Sequence, residues 1–219
     1  MKRVWRLQVG LLLAAGCVSA ASMAATQAQW RFSVYLDDQK IGYHDFSLSP
    51  TEDGNRLRSE ARFTVRLLMI PVYRYAHDAV EYWNGACLRR IDATTDDNGE
   101  LLSMSGRDDE GTFIVTTDAG REVLSGCVMS FAYWDTRILS AKRLLNAQTG
   151  EYLDVEVAPM GAEAVDLGDR TVAARRYRLT AEDLSIDLWY SDDRQWLALQ
   201  STTPSGRTLS YRRQVSDAH

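Results

Sequence analysis

From Trp30 onward the chain alternates between apolar and polar residues. Trp30, Phe32, Val34 and Leu36 are separated by Arg31, Ser33 and Tyr35, and Asp37-Asp38-Gln39-Lys40 then breaks the run. A period of two sends successive side chains to opposite faces of a strand, so this is a half-buried strand ending in a turn. Ile41 to Leu48 reads as the returning strand, and Asp53-Gly54-Asn55 as the next turn. Ala61, Phe63, Val65 and Leu67 alternate with Arg62, Thr64 and Arg66, giving a strand with a basic outer face. Tyr73–Trp83, Leu88–Thr95, Leu101–Ser105 and Thr112–Thr117 continue in the same way, with Asp118-Ala119-Gly120 leading into another strand. Asp97-Asn98-Gly99-Glu100 is the clearest hairpin signal, because Asn-Gly tolerates the positive φ angles of a tight turn.

Ser130–Leu145 departs from this pattern. Phe131, Trp134, Ile138 and Leu144-Leu145 can share one helical face, with Asp135 and Ser140 as caps, so a short helical segment is expected near 130–145. Asn146–Gly150 is a loop. Strands resume at Glu151–Ala158, Arg170–Leu179, Leu184–Ser191, Trp196–Thr203 and Arg207–Gln214. Short strands joined by Asp, Gly and Asn turns predict a mainly β chain: one antiparallel meander forming a barrel, half-barrel or sandwich. With no repeat and no linker-like composition, residues 25–219 read as a single β-rich domain.

The N-terminus is different in kind. Lys2, Arg3 and Arg6 precede a stretch, Leu7–Ala21, that is apolar apart from Gln8 and Ser19, and small residues follow. This is the layout of a secretory leader, expected over residues 1–24 with cleavage before Ala25. Two other readings stand beside it: an uncleaved anchor, and lipidation at Cys17. Leu13-Ala14-Ala15-Gly16-Cys17 resembles a lipoprotein signal but has Ala14 where Leu is usual. Export to a periplasm is the localisation these features imply, with membrane association only through the leader or an acyl chain on Cys17.

Loss of the leader removes three positive charges and moves the net charge from −5 to −8. An acidic chain is ill suited to general nucleic-acid binding, which needs a surplus of Lys and Arg. Two cysteines remain, Cys87 and Cys127. In an oxidising compartment they most simply form one disulfide, the other reading being two buried thiols.

Few groups here carry chemistry. The chain has no GxSxG, Walker, Gly-rich dinucleotide or HExxH motif, and no cofactor is implied. Three histidines and two mature cysteines make a structural zinc site improbable. The acids around Asn98-Gly99 do not form an EF-hand, because its first and last ligand positions fall on Thr94 and Ser105. His77 shares a strand face with Tyr73 and Tyr75, and no nucleophile is tied to it by spacing. A solvated or half-buried strand histidine is the plainer reading. Asp108-Asp109-Glu110 and Asp192-Asp193 read as solvated turn carboxylates.

Aromatics are in surplus. After the leader there are five Trp and ten Tyr, clustered at Tyr82-Trp83, Tyr133-Trp134, Trp189-Tyr190 and Trp196. They build a β core, or they enclose an apolar pocket with polar edges. The candidate lining is Tyr75, His77, Trp83, Trp134, Trp189 and Trp196. Within a strand, adjacent residues face opposite ways, so at most one of each such pair lines a common pocket.

Trp83-Asn84-Gly85, Thr95–Gly99, Tyr133-Trp134-Asp135, Leu144–Gly150 and Asp187–Tyr190 stand in an order that resembles the DUF6134 family. Trp189–Tyr211 is more distantly similar to the late strand-turn-strand of the DUF3108 family. The resemblance implies an exported bacterial envelope protein with a β fold, and it brings no active site with it. Three functions then compete. One is a binding or carrier protein for a lipid-like or other hydrophobic ligand. The second is a structural or adaptor component that meets another envelope protein and has no pocket. An enzyme is the third, on a thin inventory of residues.

Overall fold

The computed structural model describes residues 27–167 and 170–214. The expected leader, its cleavage point and Cys17 lie outside them. The chain begins as a meander of eight strands: β1 (Ala28–Leu36), β2 (Gln39–Thr51), β3 (Gly54–Leu67), β4 (Ile70–Asn84), β5 (Cys87–Asp97), β6 (Glu100–Asp109), β7 (Thr112–Thr117) and β8 (Gly120–Ser125). A connecting segment carries a 3-10 turn (Thr136–Ser140) and a small hairpin, β9 (Arg143–Leu145) with β10 (Tyr152–Asp154). A second meander returns: β11 (Glu156–Asp166), β12 (Thr171–Ala181), β13 (Leu184–Tyr190), β14 (Trp196–Thr202) and β15 (Thr208–Arg213).

β15 pairs antiparallel with β1, Phe32 opposite Arg213, and this joins the two meanders into one sheet of thirteen strands. The hydrogen-bonded order runs from β11 through β15, β1 and on to β8, so the sheet is wound but not closed. Its free edges are protected by their sequences. β8 carries Arg121 and Glu122, whereas β11 has Pro159, a register shift before Gly161, and Glu163. Charge, proline and bulges all hinder pairing with a stray strand.

Alternation decides which side of the sheet is buried. Trp30, Phe32, Val34 and Leu36 point inward from β1, Leu57, Ala61 and Phe63 from β3, and Leu188 and Tyr190 from β13. The segment between β8 and β11 fills the interior, with Val128, Ile138, Leu144 and Leu145 among the most buried side chains. It is pinned at its entrance. Cys87, at the start of β5, is disulfide-bonded to Cys127, with 4.9 Å between Cα atoms, and Leu88 N donates to Val128 O at 2.8 Å. Such a bridge belongs to an oxidising environment. Further along, Gly150 (φ 79°) lies so close to β7 that a Cβ there would meet Thr117 Cγ2 at 2.5 Å.

The helical segment expected near 130–145 is only the 3-10 turn. Asp135 caps it, accepting from Arg137 N at 3.0 Å, and Ala141 is already extended (φ −64°, ψ 147°). One hydrogen-bonded turn is too short to propagate as an α-helix, so Leu144 and Leu145 go to β9 instead. The strand expected over Glu151–Ala158 is two: β10 in the small sheet and β11 in the large one. β11 extends past the expected end at Ala158 through Pro159-Met160-Gly161, and the proline is tolerated because this strand is an edge. Asn98 (φ 55°) and Gly99 (φ 97°) form the tight turn that their sequence predicts.

Candidate functional site

On β4 every second residue from Tyr75 to Trp83 faces the interior, which brings Tyr75, His77, Ala79 and Glu81 into one row. β2 and β3 lie beside it and add His44, Phe46, Leu57 and Ser59. The connecting segment closes the space from within, through Ser130, Phe131, Tyr133, Trp134 and Gln148, and Leu184, Ile186 and Tyr211 border it from the second meander. The result is a cavity of about 240 Å³ with an apolar side and a polar side.

Polar contacts inside it are specific. His44 Nε2 lies 2.7 Å from Ser59 Oγ, and its Nδ1 lies 3.3 Å from Tyr211 OH. The Phe46 ring stacks on the same imidazole at 4.0 Å. His77 Nδ1 is 2.8 Å from Thr95 Oγ1, and Tyr75 OH donates to Gln148 Oε1 at 3.1 Å. Ser130 Oγ donates to Glu81 Oε1 at 2.9 Å, and Trp83 Nε1 donates to Glu81 Oε2 at 2.9 Å. Trp134 is stacked edge-on to Trp83 at 5.6 Å, yet its buried Nε1 has no hydrogen-bond partner among the described residues.

Burial sets the charge state. Removal from water favours the neutral form of each group. It lowers His77 to about 4 and takes His44 well below the usual imidazole range, the second ring adding to the effect on His44. Glu81 rises to about 7 for the same reason, with its bonds from Ser130 and Trp83 acting in the opposite direction. Burial likewise pushes the Tyr75, Tyr133 and Tyr211 hydroxyls up, so they remain protonated donors. At neutral pH the histidines are uncharged. Glu81 is the ionisable anion of the site, and no ion pair to it is formed among the described residues.

Of the six side chains expected from sequence, Tyr75, His77 and Trp134 line the cavity. His77 is 7 % exposed, so it is a buried interior residue and neither solvated nor half-buried. Trp83 stands behind Glu81 as its hydrogen-bond donor. Trp196 belongs to the packed core, 4.3 Å from Phe32 and 5.3 Å from Tyr133 between ring centroids. Trp189 is a correction. It faces outward into a separate small cluster with Ala174 and Leu197, and its Nε1 donates to Glu163 at 2.6 Å. Its neighbour Tyr190 takes the inward position and donates to Tyr133 O at 2.7 Å. Tyr133 and Trp134 both line the cavity, which the rule of opposite faces excludes only in strands, and this segment is not one.

Glu81 is the site residue that the aromatic pattern passes over. It continues the row Tyr75, His77, Ala79, and alternation alone places it inside. His44 and Tyr211 carry no such local signal, because they meet only when β15 pairs with β1.

The fold is similar to that of a β-barrel-like protein, a domain of unknown function (DUF1849) from Brucella abortus. The TM-score is 0.62 and the identity 9%, covering 89% of this chain and 99% of that one. At that identity the likeness concerns the fold alone. No curated protein matches the chain. The model of the DUF6134 family, described as a domain of unknown function, matches residues 32–214, from within β1 through the interior segment to the end of β15, and the chain belongs to that family.

Proposed function

We propose that this is an exported envelope protein, a single β domain that binds one small amphiphile carrying an amine in the cavity behind β4. The observation that carries this reading is Glu81, a buried carboxyl facing an aromatic-lined space with no cation beside it among the described residues. An ammonium group would supply the missing countercharge. Tyr75, Tyr133 and Trp134 offer rings against which a cation and its apolar body are both favoured. A ligand carboxylate or phosphate would find hydroxyl and indole donors but no cation among the cavity residues, and would face the Glu81 carboxyl. The cavity, about 240 Å³, lies below the roughly 300–1,000 Å³ of drug-sized pockets. That narrows the lipid-like ligand expected from the aromatic surplus to something smaller. The leader-like N-terminus and the disulfide support export.

The test is calorimetric titration with 2-phenylethylamine, 2-phenylethanol and phenylacetate, on wild type and Glu81→Gln. The amine is expected to bind best, more tightly as pH rises through about 7 and Glu81 ionises, and to lose that pH dependence in the variant. Equal binding of the carboxylate, or an unchanged Glu81→Gln profile, would refute the reading.

A further inference from the structure

The β3–β4 hairpin outgrows the sheet. β2 stops pairing with β3 at Gly42–Phe63, and β5 stops pairing with β4 at Asp97–Tyr75. Beyond those points β3 and β4 pair with each other through Thr64–Arg74, Val65–Tyr73, Arg66–Pro71 and Leu67–Ile70, and Arg74 O also accepts from Asn98 N of the β5–β6 turn at 2.7 Å. This ribbon is four ladder positions long, roughly 13 Å at the usual strand rise, and about two of them stand clear of the β1–β2 hairpin, which itself continues through Tyr35–Lys40 and Leu36–Gln39. The tip is Leu67-Leu68-Met69-Ile70-Pro71-Val72, and all six residues are exposed, Leu68 at 90% and Met69 at 87%. Leu68 holds φ 57° to make the turn, a conformation unfavourable for leucine.

Because neighbouring residues of a strand face opposite ways, six consecutive exposed apolar residues leave both faces of the ribbon apolar. A protein surface covers one face of a hairpin; a lipid phase surrounds both. Charge agrees. The projecting stretch, residues 64–74, contains Arg66 and Arg74 and no acid, on a chain of net charge −5. Acids of the same end of the sheet, Asp37, Asp38, Asp97 and Glu100, sit at turns that the ribbon overtops by about two ladder positions on the β1–β2 side and by about three on the β5–β6 side. Tyr73 is tied to one of them, its OH donating to Asp97 at 2.7 Å.

We propose that the β3–β4 tip is a membrane-seating element, inserting Leu67–Val72 into the headgroup and upper acyl region of a bilayer while Arg66 and Arg74 meet anionic headgroups. The part of the ribbon clear of its neighbours, about two ladder positions and the turn, is roughly 7–10 Å, within the roughly 5–10 Å depth at which interfacial elements bury. The acidic turns stay behind in water. This needs neither a leader nor an acyl chain, and it is independent of the cavity.

The experiment is flotation with vesicles of phosphatidylcholine alone or mixed with phosphatidylglycerol, every form being the exported chain from residue 25 onward, so that neither the leader nor an acyl anchor on Cys17 contributes. Wild type is expected to float, more so with phosphatidylglycerol. Leu68→Glu/Met69→Glu should lower partitioning at least about tenfold, because two carboxylates resist entering the acyl region. Arg66→Gln/Arg74→Gln should lose roughly fivefold per arginine, on anionic vesicles only. All four sites are exposed, so melting temperatures should stay together. Met69→Trp should add a blue-shifted emission that brominated acyl chains quench. Wild type that does not float, flotation retained by the double glutamate variant, or added Met69→Trp emission that resists quenching would each overturn the proposal. So would a dimer dissolved by the glutamates with no vesicle binding, which would assign the tip to self-association.

Discussion

Glu81→Gln changes a proton and almost no volume, and its effect on stability can be worked through in advance. The amide keeps both neighbours: its oxygen accepts from Trp83 Nε1, and its nitrogen donates to Ser130 Oγ, which then accepts. In the wild type the carboxyl releases its proton at about 7 when folded and at the ordinary 4.5 when unfolded. Between those values the native state holds more protons than the unfolded state. Stability linked to Glu81 is therefore fully present below about 4.5 and lost as pH rises through about 7. At roughly 1.4 kcal/mol per unit, the loss amounts to about 3 kcal/mol. Glutamine has nothing to lose. The stability difference, variant minus wild type, should thus grow by about 3 kcal/mol between about pH 4 and pH 8. For a chain of this size that is roughly 6–12 °C in Tm.

His77 works in the opposite direction. Its folded value of about 4 lies below the usual 6.5, so its stability is present above 6.5 and lost as pH falls through about 4. His44 shares that sign. Over the range that Glu81 and His77 share, their slopes oppose each other, and Glu81→Gln should uncover the rising histidine limb. Guanidinium unfolding with the disulfide intact, at several pH values, measures both curves. Their difference cancels every other titrating group. A difference that stays constant from about pH 5 to pH 8 would refute burial of an ionisable Glu81.

Other expectations are simpler. Cys87→Ser/Cys127→Ser opens a loop of 40 residues, and the chain-entropy estimate for that closure is about 4 kcal/mol, read as a lower denaturation midpoint. Trp196→Ala, in the packed core, should destabilise by about 3–5 kcal/mol. Trp189→Ala should leave amine binding in the titration unchanged, since its ring lies on the other side of the sheet; loss of binding there would contradict the placement.

The strands are readable in sequence because half-burial writes itself as a period of two, as in Trp30–Leu36 and Ala61–Leu67. The Asn98-Gly99 turn is readable because positive φ restricts its residues. Two features are not. Apolar spacing in Phe131–Leu145 suits a helical face, but this segment is buried on several sides inside a wound sheet, where apolar residues follow no simple period. The cavity is half legible. β4 announces its own inward row, whereas the approach of His44 and Tyr211 depends on a strand pairing that spans nearly the whole chain.

That pairing has a consequence for how the molecule is made. Among the described strands β1 is the first to appear from a ribosome or a translocation pore, yet one of its two partners, β15, is the last. Until residues 208–213 arrive, the β15-facing edge of β1 stays open, and Trp30, Phe32 and Val34 await half of their neighbours. The sheet cannot be completed strand by strand as the chain emerges. Completion waits for the final strand, and a protein built this way needs its early hairpins kept from strangers in the interval. The same geometry brings Gln214 N to Arg31 O at 2.7 Å, so linking the β15 end to the β1 end and opening the chain between the two edge strands, β8 and β11, would give a sequence whose sheet strands meet their neighbours in order.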